Sequence, residues 1–582
     1  MKPVEIAART LPEPVKRVLR PFARVLGWIR TTHATAPDIA SELRRITREE
    51  CVQKTVIAQK KNGPRILILN MRGDGYLLGL EIPLAHRLQM EGAQVSFLAC
   101  HDLPQCNNRS IDSPTPPSIC RDCSDASARL VNAGRMPLHS IADFVEHDVY
   151  YQAMKGTSAL TAEECFRFEY RGIPVGRSCE VSVARYLCRD AMAEDDLAVK
   201  TWRQYVAGGI VLAEAYYRLF DLERPDIIFL CNGDFFWYSI AFEVATRLGV
   251  RAVTYESSFR PGECGFGRAW VFCNRGRVSR IDFSEPWKEW KNVELTADEN
   301  VQLDDSLRAM RKGSMYHPNP IEDRQAVLSQ LGLDSRIPII PLFTNLTWDA
   351  AAVGRRTAFR SLREWVEDTV RYASGKPYQL VVRPHPAETM TFEGNRSREA
   401  VGHLLKEAFP VLPANVRIVQ PHSRISSYTL LEMAPAAIVY TSTLGLEATI
   451  QGKPAVIAGG AHYANKGFGY APGTRAEFFE LMDHILELAK PSHEQTELAR
   501  RYAYLSMFRV NIPLQLFETS SQFQISRFTI DSLDDLMPGR NPYLDLVVEG
   551  ILKDKSIVLP RELSRRLMSH IVGTRHTILE HQ

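Results

Sequence analysis

Two kinds of segment alternate along most of the chain. Short unbroken apolar runs stand at 65–69, 95–98, 226–231 and 250–255, and again at 337–343, 378–383, 416–420, 436–440 and 454–458. Between them, apolar residues recur every three or four positions, as in the stretch that ends at Leu88 and in 237–248, 357–373, 397–409 and 426–433, the spacing of an amphipathic helix. Strand, helix and strand in this order predict βαβ units and parallel sheets. The two groups of strands predict an α/β protein of two Rossmann-like domains facing a cleft, because ligands of such sheets sit beyond the carboxyl ends of the strands. The pattern divides the chain into an arm (1–62), a first domain (63–325), a second domain (326–490) and a C-terminal helical extension (491–582). Within the first domain, 100–225 breaks the alternation with a Pro/Ser/Asn-rich loop and then mostly helical periods, clearest at 180–193 and 202–222, and reads as an insertion. The charged, turn-rich stretch 280–325 reads as the interdomain connection. Everything from 475 onward reads as helix, notably 476–488, 493–508 and 560–580.

At 582 residues the chain exceeds what one core can organise, which supports two domains plus extensions. Its 45% apolar and 24% charged content is that of an ordinary globular protein. No run has the length of a membrane span, and the N-terminus lacks the apolar core of a secretory leader, so a cytoplasmic location is expected. All 11 cysteines fall between Cys51 and Cys273, a distribution of reduced thiols in one large domain rather than a disulfide framework. The net charge of +3 conceals a basic arm in which residues 1–61 carry 13 Lys and Arg against 6 Asp and Glu. There Val15, Val18, Leu19, Phe22, Val25, Leu26 and Ile29 fall on one helical face and Lys16, Arg17, Arg20 and Arg24 on the other. Residues 14–30 therefore suit either an anionic membrane surface or packing on the protein itself. No nucleic-acid partner is expected.

The candidate chemistry gathers at strand ends. After the apolar run 436–440 comes Thr441-Ser442-Thr443, then a helix-favouring stretch closed by Gly452. Such a turn leaves unpaired N–H groups at a helix start, where phosphate or carboxylate is favoured, and Ser442 and Thr443 add hydroxyls. With Thr443 as N-cap the capping-box position is Leu446, so Glu447 is left either to bind a ribose hydroxyl or to complement the helix dipole. The strand 378–383 runs into Arg383-Pro384-His385-Pro386, where two prolines restrict the backbone and pre-orient the imidazole. His385 and the 441–443 turn are expected to share one crevice. Candidate acids or bases in the first domain are Glu256 and Asp234, at strand ends, and Asp74, in the glycine-punctuated turn 70–76, whose spacing is not the dinucleotide fingerprint. Lys466 is a candidate phosphate or sugar-carboxylate contact. Cys100, Cys106, Cys120 and Cys123 cluster across one loop, and four thiolates there would accept a structural zinc ion, although only the Cys120–Cys123 spacing is that of a zinc pair.

In combination these residues resemble the bacterial capsule polysaccharide biosynthesis glycosyltransferases, a group similar to the Kdo transferases and polysialyltransferases of the GT-B type. The resemblance is carried by Arg383-Pro384-His385-Pro386, by Tyr440 through Ala448 with Gly452-Lys453-Pro454, by His462-Tyr463 and Lys466-Gly467-Phe468, and upstream by Asn345-Leu346-Thr347-Trp348-Asp349. It extends over most of 220–515. It implies a nucleotide-sugar donor, a CMP-sugar foremost, held by Arg383, His385, Ser442, Thr443, Glu447, Lys466, Asn345 and Thr347. It also implies a surface polysaccharide or glycolipid acceptor, no cofactor for catalysis, and a C-terminal helix that crosses back to the first domain. The family usually shows Asn-Gly-Arg where this chain has Asn232-Gly233-Asp234, and Glu-Arg-Gly where it has Glu256-Ser257-Ser258, so any role of those arginines is missing here. Rival readings are a CDP-glycerol-type glycerophosphotransferase, a sugar epimerase, and a non-catalytic capsule-assembly component.

Overall fold

The computed structural model describes residues 38–564 except 49–62, 72–74, 102, 104, 107–108, 113–116, 193–194, 259–266, 279–282, 312–319, 390–395 and 522–523. The amphipathic stretch 14–30, Asp74 and most of 560–580 lie outside the described residues.

Strands β1 (Arg65–Asn70), β2 (Gln94–Ala99), β3 (Leu138–Ser140), β4 (Ile227–Cys231), β5 (Arg251–Ser258) and β6 (Ala269–Asn274) form the first sheet, in the order β3-β2-β1-β4-β5-β6. All neighbours are parallel except β5 and β6. Strands β7 (Ile339–Phe343), β8 (Gln379–Arg383), β9 (Val416–Ile418), β10 (Ala437–Val439) and β11 (Ala455–Ile457) form the second, fully parallel sheet, in the order β11-β10-β7-β8-β9. Every residue of β4, β7 and β8 is buried. Helices cover both faces of such a sheet, which is why these strands read as unbroken apolar runs. In each sheet the strand order reverses beside the domain's first strand, β1 or β7, and that switch point opens a crevice beyond the carboxyl ends.

The loops that leave β4 and β7 at their carboxyl ends meet at one helix. Helix Val175–Leu187 stands between them: its Ser182 hydroxyl accepts from the Phe236 N–H, just past β4 (2.8 Å), and its Arg185 guanidinium lies 6.0 Å from the rings of both Phe235 and Trp348. Leu346 and Trp348, in the loop after β7, pack into the core of the first domain. Glu180 of the same helix pairs with Arg356 of the second domain. The insertion 100–225 thus forms one wall of the cleft, and it also adds β3 to the first sheet, a three-residue, half-buried edge strand too short to announce itself as an apolar run.

Two stretches differ from expectation. The connection 280–325 carries helices Ser284–Trp290 and Ala297–Arg311, the latter held by a sparse buried stripe of Glu299, Leu303 and Leu307. The C-terminal region is not all helix: after helix His493–Tyr504 the chain returns to the first domain, where the Trp270 indole N–H donates to the Leu514 carbonyl (3.0 Å). It then makes an antiparallel hairpin of β12 (Phe517–Ser521) and β13 (Gln524–Phe528). The Phe517 ring is fully buried, and a Cβ on Gly79 or Gly267 would come within 2.6 Å or 2.5 Å of it. Only glycine at those positions lets the ring seat. Replacing Phe517 with Ala is expected to cost about 3–5 kcal/mol, the usual range for emptying a buried aromatic site, and chemical denaturation followed by tryptophan fluorescence will show it as a lowered midpoint.

Candidate nucleotide site at the carboxyl edge of the second sheet

Strands β8, β7 and β10 are neighbours. Adjacent strands stand about 4.8 Å apart, so the loops leaving β8 and β10 are about 10 Å apart with the β7 loop between them. His385 and the 441–443 turn therefore share one edge of one sheet. Hydrogen bonds tie the three loops together. Asn345 Oδ1 accepts from the Thr441 N–H (3.2 Å), and the Thr344 N–H donates to the Arg383 carbonyl (3.2 Å). Tyr463, fully buried, donates its hydroxyl to the Ser442 carbonyl, an approach that a side chain at Gly445 would block.

The half-buried His385 is held by more than its prolines. Its Nδ1 accepts the Ala387 N–H at 3.2 Å, which leaves the ring proton on Nε2. Burial lowers its pKa below the ordinary histidine value, with the Arg383 charge adding to that and the Asp349 charge opposing it. At neutral pH His385 is thus a neutral imidazole with a fixed Nε2–H donor.

Arg383 ends β8 beside the site, but its side chain points inward. It is 2% exposed, and its guanidinium donates to the carbonyls of Gln420 (3.1 Å) and Ser423 (3.4 Å) and to the Ser427 hydroxyl (3.4 Å). It braces the loop entering helix Ser427–Met433. Burial lowers its pKa only to about 10, so the charge remains and adds positive potential beneath His385.

The helix after β10 is short, Leu444–Ile450, and Thr443 before it already has helical dihedrals and makes no side-chain cap. Ser442 Oγ accepts from the Leu444 N–H at 3.4 Å and keeps its own O–H to give. Thr443 is exposed. Behind this turn lies Glu447, 2% exposed, with no close hydrogen bond to either carboxylate oxygen and the Thr443 hydroxyl as its nearest donor. Burial pushes its pKa up to about 7, against the pull of the Arg311 charge and the Thr443 hydroxyl.

Glu447 is one of several such orphans. The hydroxyls of Thr344, Thr347 and Thr441 and the Trp348 indole N–H are also buried without a partner. All belong to the loops after β7 and β10 or to the turn of helix that follows. A buried polar atom left unpaired costs roughly 1–3 kcal/mol, so this set marks a place that water or a ligand fills. Thr344, Thr441, Trp348 and Tyr463 were not among the site residues drawn from the sequence, although each stands in or beside a motif that was.

The other candidates separate. Lys466 donates to the Ser284 hydroxyl at 2.7 Å, tying the second domain to the connecting helix. Asp234 is 4% exposed and lies 3.9 Å from the buried Arg277 guanidinium, which also holds Glu243 and the Gly233 carbonyl. Glu256, near the end of β5, is half-buried, with the Cys231 thiol 3.9 Å from its carboxylate. Of the two, Glu256 is the less buried. The thiols of Cys106, Cys123 and Cys120 lie near enough to Cys100 to add to the burial that raises its pKa well above the ordinary thiol value. None of the four forms a disulfide, and among the described residues no three His, Cys, Asp or Glu side chains are placed to hold a metal ion.

Among solved structures, the chain resembles two of KpsC from Thermosulfurimonas dismutans. With the β-Kdo 2,4 transferase it shares 14% identity over 53% of this chain and 86% of that one, at a TM-score of 0.32. With the β-Kdo 2,7 transferase the values are 16%, 50%, 79% and 0.29. The UDP-GlcNAc 2-epimerase from Neisseria meningitidis matches at 9% identity over 76% of this chain and 95% of its own, at a TM-score of 0.20. Likenesses this remote say nothing of activity. No curated protein matches the chain. Residues 316–480 match the family described as capsule polysaccharide biosynthesis protein. Every loop of the site just described falls within that stretch.

Proposed function

We propose that the protein is a glycosyltransferase of GT-B type that moves a sugar from a nucleotide donor, a CMP-sugar foremost, onto a surface polysaccharide or its lipid-linked primer. The observation that carries this reading is the set of buried, unpaired polar atoms around Glu447 and Thr441, two strands from a histidine locked as an Nε2–H donor. A nucleotide fits that demand. Its ribose hydroxyls would pair with Glu447, and its phosphate would receive hydrogen bonds from His385 and from the hydroxyls of Ser442 and Thr443.

As the bond to the sugar breaks, negative charge grows on the departing phosphate. Fixed donors aimed at that charge stabilise the transition state more than the ground state, with the Arg383 charge below them. They supply the electrostatic help that a divalent cation gives in other transferases. Glu256, across the cleft, is the carboxylate we assign to take the acceptor's proton. Packing of the β7 loop into the first domain excludes water from the reacting bond. Among the described residues no helix is long and apolar enough to cross a membrane. The basic stretch 14–30 would hold a cytoplasmic enzyme against the membrane where a lipid-linked acceptor resides.

Two measurements test this reading. The His385→Ala variant should lose about a hundredfold or more in turnover, the usual scale for one electrostatic donor, with a much smaller change in donor affinity by calorimetry; full turnover would remove His385 from the reaction. Glu447 is held near pKa 7 in the unliganded protein, and a hydroxyl donating to its carboxylate favours the charged form. Donor binding at about pH 6 should therefore release a proton, read as a dependence of the binding enthalpy on buffer ionisation. Glu447→Gln should bind without that release, and the same proton release from the glutamine variant would place the titration elsewhere.

A further inference from the structure

Residues of the two domains line an open hollow of 480 Å³ that the proposed transfer does not use. The first domain supplies Arg189, Asp195 and Leu197, at the junction of helices Val175–Leu187 and Asp196–Glu223. The second supplies Arg363 and the stretch from Arg398 to Glu407. Backbone bonds cross the domain boundary beside it: the Asp190 N–H donates to Glu399 Oε2 and the Arg398 N–H to the Cys188 carbonyl, each at 2.9 Å. The cavity adjoins the catalytic loop, because the Val401 N–H donates to Glu388 (3.1 Å), three residues past His385.

The lining excludes two classes of ligand. Each guanidinium is already paired: Arg189 with Asp195 at 2.5 Å, Arg363 with Glu407 at 3.7 Å and Glu399 at 3.8 Å, and Arg398 with Asp112. The carboxylates match the guanidiniums, so the wall has no surplus positive charge for an anion. Leu197 and Leu404 are its only apolar residues, too little for a hydrophobic guest. What the wall offers is donors and acceptors side by side, with the side chains of Arg363 and His403 still 42% and 68% exposed. A guanidinium beside a carboxylate meets adjacent hydroxyls as both donor and acceptor.

We infer that this cavity binds a neutral, hydroxyl-rich sugar residue of the acceptor glycan, set back from the end that reacts. The inference rests on the transferase reading for the identity of its ligand as an acceptor. Both domains grip that residue, so an extended acceptor favours the closed cleft and a short one does not.

The test uses the full chain and two variants outside the donor site. Leu197→Trp fills the cavity from a position 39% exposed at a helix start, and His403→Ala removes a donor from its rim. The probes are an array of oligosaccharides cut from neutral bacterial surface polysaccharides, and CMP by calorimetry on the same preparations. Wild type should retain neutral oligosaccharides of several units. Leu197→Trp should lower that retention about tenfold and His403→Ala less, with CMP affinity and melting temperature unchanged. Equal retention by wild type and both variants, or no neutral glycan retained by a wild type that binds CMP, overturns the cavity assignment and leaves the transferase reading standing. Failure of wild type to bind CMP or any nucleotide sugar, with glycan retention still sensitive to Leu197→Trp, overturns the transferase reading and keeps the saccharide cavity.

Discussion

The side chain of Asn345, accepting a hydrogen bond from the Thr441 N–H, joins the loop after β7 to the turn after β10. Loops at the end of a parallel sheet have no ladder to hold them, so their spacing depends on such bonds. Here three operate together: Asn345 to Thr441, Thr344 to Arg383, and Tyr463 to Ser442. They keep His385 and the Ser442–Thr443 turn at a separation set by two strand spacings. A site that stabilises charge must be built before the charge appears, because donors that have to move into place lose that advantage.

The same economy governs the ionisable groups. Arg383 is spent on carbonyls of the 420–427 loop, yet its charge remains and biases His385 toward the neutral form. Glu447 is buried behind the helix start with no close hydrogen bond to either oxygen, a cost that a bound ligand would relieve. Across the cleft the division differs: Asp234 is buried beside Arg277, whereas Glu256, near the end of β5, is half-buried beside the Cys231 thiol. The insertion closes the arrangement, since Glu180, Ser182 and Arg185 lie on one helix and reach the second domain, the β4 loop and the β7 loop in turn.

Much of this was legible in the residues. Strands buried on both faces, such as Ile227–Cys231 and Gln379–Arg383, are read from unbroken apolar runs, and the Pro-flanked His385 announces a fixed imidazole. The three half-buried residues of β3 carry no such signal, and β12–β13 lay hidden in a region whose composition suited helix as well. At the site, the sequence located loops and left side-chain direction open. Arg383 turns inward because carbonyls 37 and 40 residues away are there to receive it, and Tyr463 reaches a carbonyl 21 residues back. Such partners are set by tertiary packing, which no local period encodes.

The place where a nucleotide binds is decisive. A crystal structure of the protein with CMP or a CMP-sugar should show the phosphate within hydrogen-bond reach of His385 Nε2 and of the Ser442 or Thr443 hydroxyl, with the ribose against Glu447. A nucleotide seated at the carboxyl edge of the first sheet, or with its phosphate remote from His385, would contradict that placement.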